Sequence, residues 1–256
     1  MDSRRQLTLF ISDLHLEEER PQVTRLFSHF MRRYGAHAHS LYILGDFFEV
    51  WIGDDDDSPL YRQVSGELRA LRDLGVSIYL MVGNRDFLIG DRFAEATGCQ
   101  LLAEPALIDL YGTPTLLMHG DSLCVDDEEY QNFRRQVRGA EWQREFLAQP
   151  LSTRATIARD LRKTSQRRSK DKPQAIMDVN QQEVERVMRK HNVTRLIHGH
   201  THRPASHNFE LDGAKVQRWV LGDWDRSAKI LVCDTHETRL VEFSGDTNKT
   251  VTAPPS

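Results

Sequence analysis

Cysteine is scarce in this chain: three residues in 256, at positions 99, 124 and 233, with no Cys-x-x-Cys spacing. An odd, scattered set excludes a disulfide frame and a thiolate zinc module, and it points to a reduced, cytoplasmic setting. Long apolar runs are missing too. The longest, such as Leu7–Ile11 and Ile78–Val82, fall far short of the ~18 residues a bilayer span requires. Met1 to Arg5 lead straight into a strand-like run, so no secretory signal is expected. There is no internal repeat or low-complexity block. Hydrophobic residues at 39% and charged residues at 28% exclude a disordered or fibrous chain. At ~150 residues per domain, the length suits one large domain, residues 1–256, carrying an insertion.

What is present is an alternation. Short β-rich runs (Leu7–Ser12, Leu41–Leu44, Val76–Val82, Thr115–Met118, Arg195–Ile197) recur between helix-length amphipathic segments. Such alternation predicts an α/β fold with helices on the faces of a sheet. Helices are predicted over Pro21–Tyr34 and Pro59–Leu74, the latter with Leu60, Val64, Leu68 and Leu71 on one face. A helical insertion or cap is predicted at about 125–190, broken near Gly139, Pro150 and the polar piece Thr164–Pro173. Three further strands are predicted after His202, near Val216–Leu221, Ala228–Cys233 and Thr238–Phe243, before a frayed polar tail over 245–256.

The net charge of -4 is unevenly spread. Residues 134–172 hold 12 Lys/Arg against four acids, a net +8, which leaves -12 on the rest of the chain. A basic block on an acidic body suggests an anionic partner or a solvated helix face.

Each of the first five β-rich runs leads directly into polar, ligand-type residues. They are Asp13-Leu14-His15, Gly45-Asp46, Gly83-Asn84-Arg85-Asp86, His119-Gly120-Asp121 and His198-Gly199-His200-Thr201-His202. In open α/β sheets ligands bind beyond the carboxyl ends of the strands, so these loops should converge on one edge. Carboxylate oxygens, an amide and neutral imidazoles suit Mn, Fe, Zn or Mg rather than thiophilic ions. One such piece is weak evidence; five in order, each at a strand end, predict a dinuclear metal site. Asp54–Asp57 is read as a solvated loop, His198 as a packed or supporting residue, and Asp86 and Asp121 as orienting groups.

The ordered set, D-x-H, GD, GN-x-D, H-G and GH-x-H, resembles the calcineurin-like metallophosphoesterase superfamily from Asp13 to His202. The resemblance implies an α/β, four-layer sandwich of two facing mixed β-sheets flanked by helices. It also implies two divalent metal ions, one held by Asp13, His15 and His202 and the other by Asn84, His119 and His200, with Asp46 bridging. Two metals ~3.5–4 Å apart clamp a phosphoryl oxygen and acidify a bridging water. Most of the superfamily has His after the Asn, where this chain has Arg85. A guanidinium does not donate its proton at neutral pH but grips phosphate in a two-pronged fork. That favours a leaving group already stable as an anion, such as the phosphate of a pyrophosphate.

The strings Leu44-Gly45-Asp46-Phe47-Phe48-Glu49-Val50-Trp51-Ile52-Gly53-Asp54-Asp55, Ala175-Ile176-Met177-Asp178-Val179-Asn180 and His198 to Pro204 are similar to those of the UDP-2,3-diacylglucosamine pyrophosphatase family. That resemblance implies hydrolysis of UDP-2,3-diacylglucosamine to UMP and 2,3-diacylglucosamine 1-phosphate in lipid A biosynthesis, by metal-bound hydroxide attacking the α-phosphorus, with Mn as the metal. It further implies peripheral association with the cytoplasmic face of the inner membrane; nucleic acid, a third partner the basic block could take, is not expected. The catalytic residues expected are Asp46, Asn84, Arg85 and His119. The substrate contacts expected are Asn84, Arg85, Asp127, Ser165, Ser169, Lys172 and His200, with Ser169 standing where the family pattern has Asn. Tyr130, Phe133, Trp142, Phe146, Leu147, Leu151 and Ile157 are the apolar residues of the cap, as core or as an acyl groove. Two rival readings are a phosphoesterase acting on soluble nucleotides or phosphoproteins, and a non-catalytic scaffold.

Overall fold

The computed structural model describes residues 7–171 and 176–245. Two mixed β-sheets face each other. The first carries β1 (Thr8–Ile11), β2 (Ser40–Leu44), β3 (Ser77–Met81), β4 (Gln100–Leu102), β10 (Ser227–Cys233) and β11 (Thr238–Ser244), in the order β11-β10-β1-β2-β3-β4. The second carries β5 (Ala106–Leu110), β6 (Thr113–Leu117), β7 (Arg195–His198), β8 (Ala205–Leu211) and β9 (Ala214–Val220), in the order β5-β6-β7-β9-β8.

Strand alternation explains the layering. Side chains on a strand point alternately to its two faces. Leu9 and Ile11 join a core beneath the helices of the first sheet, while Phe10 between them joins the core between the sheets. In the same way Leu116 and Leu196 face outward to a third core, and Leu117 and Ile197 face inward. Helices α1 (Pro21–Arg33) and α2 (Pro59–Asp73) cover the first sheet, and α7 (Gln181–His191) covers the second. The helix ends follow local chemistry. Pro59 opens α2 behind an N-cap, Ser58, whose hydroxyl accepts from the Tyr61 N–H. Asn180 caps α7 the same way through the Glu183 N–H, and Asn192 ends it in a left-handed conformation.

Between β6 and β7 the chain also forms α4 (Glu128–Val137), α5 (Ala140–Leu147) and α6 (Leu151–Asp171). These three form the cap; α7, within the range expected for it, instead packs Val184, Val187 and Met188 on the outer face of the second sheet. The breaks at Gly139 and Pro150 fall where expected. The one expected near Thr164–Pro173 falls at the end of that piece: α6 continues through Thr164 to Asp171, and the next helix begins at Gln181. That stretch has no glycine or proline before Pro173, and its Lys, Arg and Gln are strong helix formers. The tail from 246 lies outside the described residues.

Among the described strands and α-helices, four are not expected from the sequence. They are β4, β5, α3 (Asp91–Thr97) and β8, so four strands, not three, follow His202. β4 has only three residues. β8 is mostly exposed, and its sequence Ala-Ser-His-Asn-Phe-Glu-Leu carries little apolar alternation.

Candidate metal centre and the cavity beside it

Strands β1, β2 and β3 are parallel neighbours in one sheet, and β6 and β7 are parallel neighbours in the other. Their carboxyl ends therefore emerge side by side at one edge. The loops are stitched across it: the Asp13 N–H donates to the Gly45 carbonyl at 3.0 Å, and the His15 N–H to that of Asp46 at 3.0 Å. The His200 N–H, from the second sheet, donates to both carboxylate oxygens of Asp13.

The backbone there is strained. Asp13, His15, Asp46, His200 and His202 all hold positive φ, between 49° and 69°. Residues with side chains take that conformation rarely and at a cost of order 1–3 kcal/mol each, so its concentration in one place marks a functional site. Two glycines make the close approach possible. A β-carbon on Gly83 would stand 2.2 Å from Asp46 Oδ1, and one on Gly199 would stand 2.4 Å from Asp13 Oδ2.

Two groups of side chains converge. Asp13, His15 and His202 form one, and Asp46, His119 and His200 the other. Asp46 faces both: Oδ2 lies 3.9 Å from His15 Nε2, and Oδ1 lies 3.6 Å from His119 Nε2. Asn84 joins the second group, its Oδ1 3.0 Å from His119 Nε2. The Nδ1 edges point away to separate partners. That of His119 donates to the Leu44 carbonyl at 2.9 Å, that of His15 lies 2.8 Å from Glu49 Oε2, and that of His202 lies 3.7 Å from Asp223 Oδ2. With protons on Nδ1, the Nε2 lone pairs of His15 and His202 face each other at 3.2 Å. Two nitrogens bound to one metal at ~2.1 Å and about a right angle stand roughly 3 Å apart, so this donor set fits a divalent ion. The electrostatics agree. Asp13 is wholly buried, yet contact with His202 and the charges of His119 and His15 hold its carboxyl well below the usual range. Burial disfavours a charged His119, but Asp46, Asp121 and Asp13 outweigh it and push its pKa up to about 9. Carboxylates thus draw positive charge to this point.

The neighbouring residues divide by role. Asp86, buried, accepts from the Phe47, Phe48 and Gly83 N–H groups, which locks two of the ligand-bearing loops together. His198 is fully buried but outside both groups. Its Nδ1 donates to the Gly199 carbonyl and its Nε2 lies 3.1 Å from Arg218 Nη1, and burial with that cation pushes its pKa down to about 3. Asp54 is half-buried, and Asp55, though exposed as expected of a solvated loop, has a partner. Asp54 accepts from the Trp51 indole and from the Gly90 and Phe93 N–H groups, and Asp55 pairs with Arg154 of α6.

Between this edge and the cap lies a cavity of about 620 Å³. Asn84 and Arg85 line it from the body, Asp127 and Ser165 from the cap, with Tyr130, Phe133, Trp142, Phe146 and Ile157 as apolar wall. Leu147 and Leu151 instead point outward, 42% and 38% exposed. Asp127 also caps α4, accepting from the Tyr130 N–H. Lys172 and the Ser169 side chain, both expected substrate contacts, lie outside the described residues. The basic block is less free than its charge suggests. Arg134 binds Asp121 and Glu104, Arg138 the Gly83 carbonyl, Arg154 Asp55, and Arg162 Glu49.

Residues 7–204 match the family model for calcineurin-like phosphoesterases. A UDP-2,3-diacylglucosamine hydrolase of Cellvibrio japonicus is 54% identical over 217 residues, which is 85% of this chain and 90% of that one. The chain belongs to this family of calcineurin-like phosphoesterases. A Pseudomonas aeruginosa enzyme of the same name is 52% identical over 237 residues, 92% of this chain and 98% of its own. One from Serratia proteamaculans is 48% identical over 236 residues, again covering 92% and 98%. Membership makes the chain a hydrolase with a divalent-metal site. The sequence had singled out every residue of the two converging groups; Glu49, Arg162 and Asp223 it had not. Glu49 carried a signal, a charge inside the apolar run Phe47-Phe48-Glu49-Val50-Trp51, since a buried charge demands partners.

Proposed function

We propose that this chain hydrolyses the pyrophosphate of UDP-2,3-diacylglucosamine to UMP and 2,3-diacylglucosamine 1-phosphate, with water delivered to the α-phosphorus, as a step of lipid A biosynthesis. The observation that carries the reading is the juxtaposition of the Asp/His/Asn cluster with an apolar cavity whose rim bears Arg85. Asp13, His15 and His202 would hold one ion and Asn84, His119 and His200 another, with Asp46 between them; Mn is the metal expected. When bound, such ions polarise phosphoryl oxygens and lower the pKa of water.

The chain's own residues do the rest. Arg85 lines the cavity, has a buried Nε without a hydrogen-bond partner, and sits near a second guanidinium, Arg162, so an anion is favoured there. A phosphate leaving group needs charge neutralisation rather than a proton, and Arg85 supplies it. Trp142, Phe146 and Ile157 give acyl chains an apolar surface and exclude water. Asp127 and Ser165, with Ser169 and Lys172, are proposed to contact the head group. No helix among the described residues is long and apolar enough to cross a membrane. Docking to the cytoplasmic face of the inner membrane would instead use Leu147 and Leu151, exposed beside the turn at Pro150, together with basic residues of the cap.

The test is hydrolysis of UDP-2,3-diacylglucosamine in heavy-oxygen water with added Mn, with Asp46→Ala run alongside. Label in UMP, and no turnover by the variant, is the expected result. Label in the sugar phosphate would overturn attack at the α-phosphorus, and turnover of deacylated UDP-glucosamine at an equal rate would overturn the lipid substrate.

A further inference from the structure

Glu49 is a mostly buried carboxylate in an apolar run, and its two oxygens serve two different parts of the molecule. Oε2 lies 2.8 Å from His15 Nδ1, off the line of the ring N–H. Oε1 pairs with Arg162 Nε, from the middle of cap helix α6. Both partners are themselves constrained. His15 holds a left-handed backbone and turns its Nε2 toward His202 and Asp46. Arg162 sits on a helix whose preceding turns are anchored eight residues earlier by Arg154, which binds Asp55 and the Ile52 carbonyl. Glu49 and Arg162, with Val50 and Ala158, also line both the 620 Å³ cavity and a second one of about 520 Å³ bounded by Leu16, Ile52 and Tyr61, so the ion pair is part of the wall between them. Removing the pair would thin that wall and free α6 of one of its ties to the body.

We propose that Glu49 is a positioning residue that couples the metal centre to the cap: through His15 it orients a ligand imidazole, and through Arg162 it seats α6 over the cavity. The inference rests on the metal-centre reading above. A carboxylate behind a ligating imidazole fixes which ring nitrogen is bare and where it points, and losing such a partner typically weakens metal binding 10–100-fold. Because the same carboxylate holds Arg162, an ion that pulls His15 into line also steadies Glu49 and hence α6. The effect must run both ways: whatever factor the ion adds to cap seating, cap seating adds to ion affinity.

The test uses the full-length, metal-stripped protein and two readouts that do not depend on turnover. Mn uptake is titrated by electron paramagnetic resonance, and amide exchange is followed across residues 151–165 with and without Mn. In the wild type, Mn should slow exchange across 151–165. Glu49→Gln, which keeps size and removes charge, should weaken one class of Mn site about 10–100-fold, leave the other in place, and abolish the Mn-dependent slowing. Arg162→Ala should also abolish the slowing while weakening Mn by a smaller factor, and Arg162→Lys should restore most of it. Wild-type-like Mn binding by Glu49→Gln, or wild-type exchange across 151–165 that ignores Mn, would overturn the coupling and leave the metal centre standing. Failure of the wild type to take up Mn at all would overturn the metal-centre reading and this inference with it.

Discussion

Asp46 shows how much a single residue is asked to do at this edge. Its two oxygens face histidines from different sheets, its backbone is left-handed, and Oδ1 accepts the Arg85 N–H at 2.8 Å. Space for it is made by Gly83, and space for Asp13 by Gly199. Gly199→Ala should therefore displace Asp13, weaken Mn binding, and destabilise the fold by about 1–3 kcal/mol; Mn titration and urea unfolding measure both. Arg85→Ala makes a different prediction, because only its side chain faces the cavity. Mn binding should stay within a few-fold of wild type while kcat falls by about 10²–10³, the cost of losing one preorganised charge-stabilising donor. Arg85→Lys should recover little, since an ammonium cannot make the forked contact. At this scale the sequence was highly legible. The ligand-type residues stood out because polar groups ending an apolar strand have no core role to explain them. Glu49 and Asp223 did not, because what they do depends on neighbours distant in sequence.

Among the elements, α6 is the least explained by its own sequence. It has a weak apolar face and a high density of Arg and Lys, and it is held by ion pairs to the body rather than by burial alone. Arg154 is nearly fully buried and bonds the Ile52 carbonyl at 2.6 Å as well as Asp55. Arg154→Ala leaves that carbonyl unpaired, and stability should drop by about 1–3 kcal/mol. If α6 also shapes the cavity, KM should rise more than kcat falls; a kcat loss at unchanged KM would count against that placement. The core-facing elements were readable from periodicity, as with Leu60, Val64, Leu68 and Leu71 on α2. β4 and β8 were not, being short or exposed, with pairing supplied by a neighbouring strand rather than by their own pattern.

For the whole molecule, the two sheets are joined at the site as well as by the core between them. The candidate ligands come from both sheets, so a divalent ion held by them should stabilise the native state by mass action. At free metal 100-fold above Kd the gain is about 2.7 kcal/mol. A chelator should accordingly lower Tm and abolish turnover together, and Mn should restore both; an unchanged Tm would mean that the ions contribute nothing to holding the sheets.

The sequence by itself determined the strand-helix alternation, the ligand types at five strand ends and the family, because periodicity, glycine placement and residue chemistry are local properties. Only the tertiary structure decided where the basic block's charge goes, that α7 belongs to the body and that Asp54 and Asp55 are partnered. It also decided that one buried glutamate touches both a ligand imidazole and the cap. The reason is physical. A charge's role is set by what lies within a few ångströms of it, and for Glu49 that includes Arg162, 113 positions along the chain.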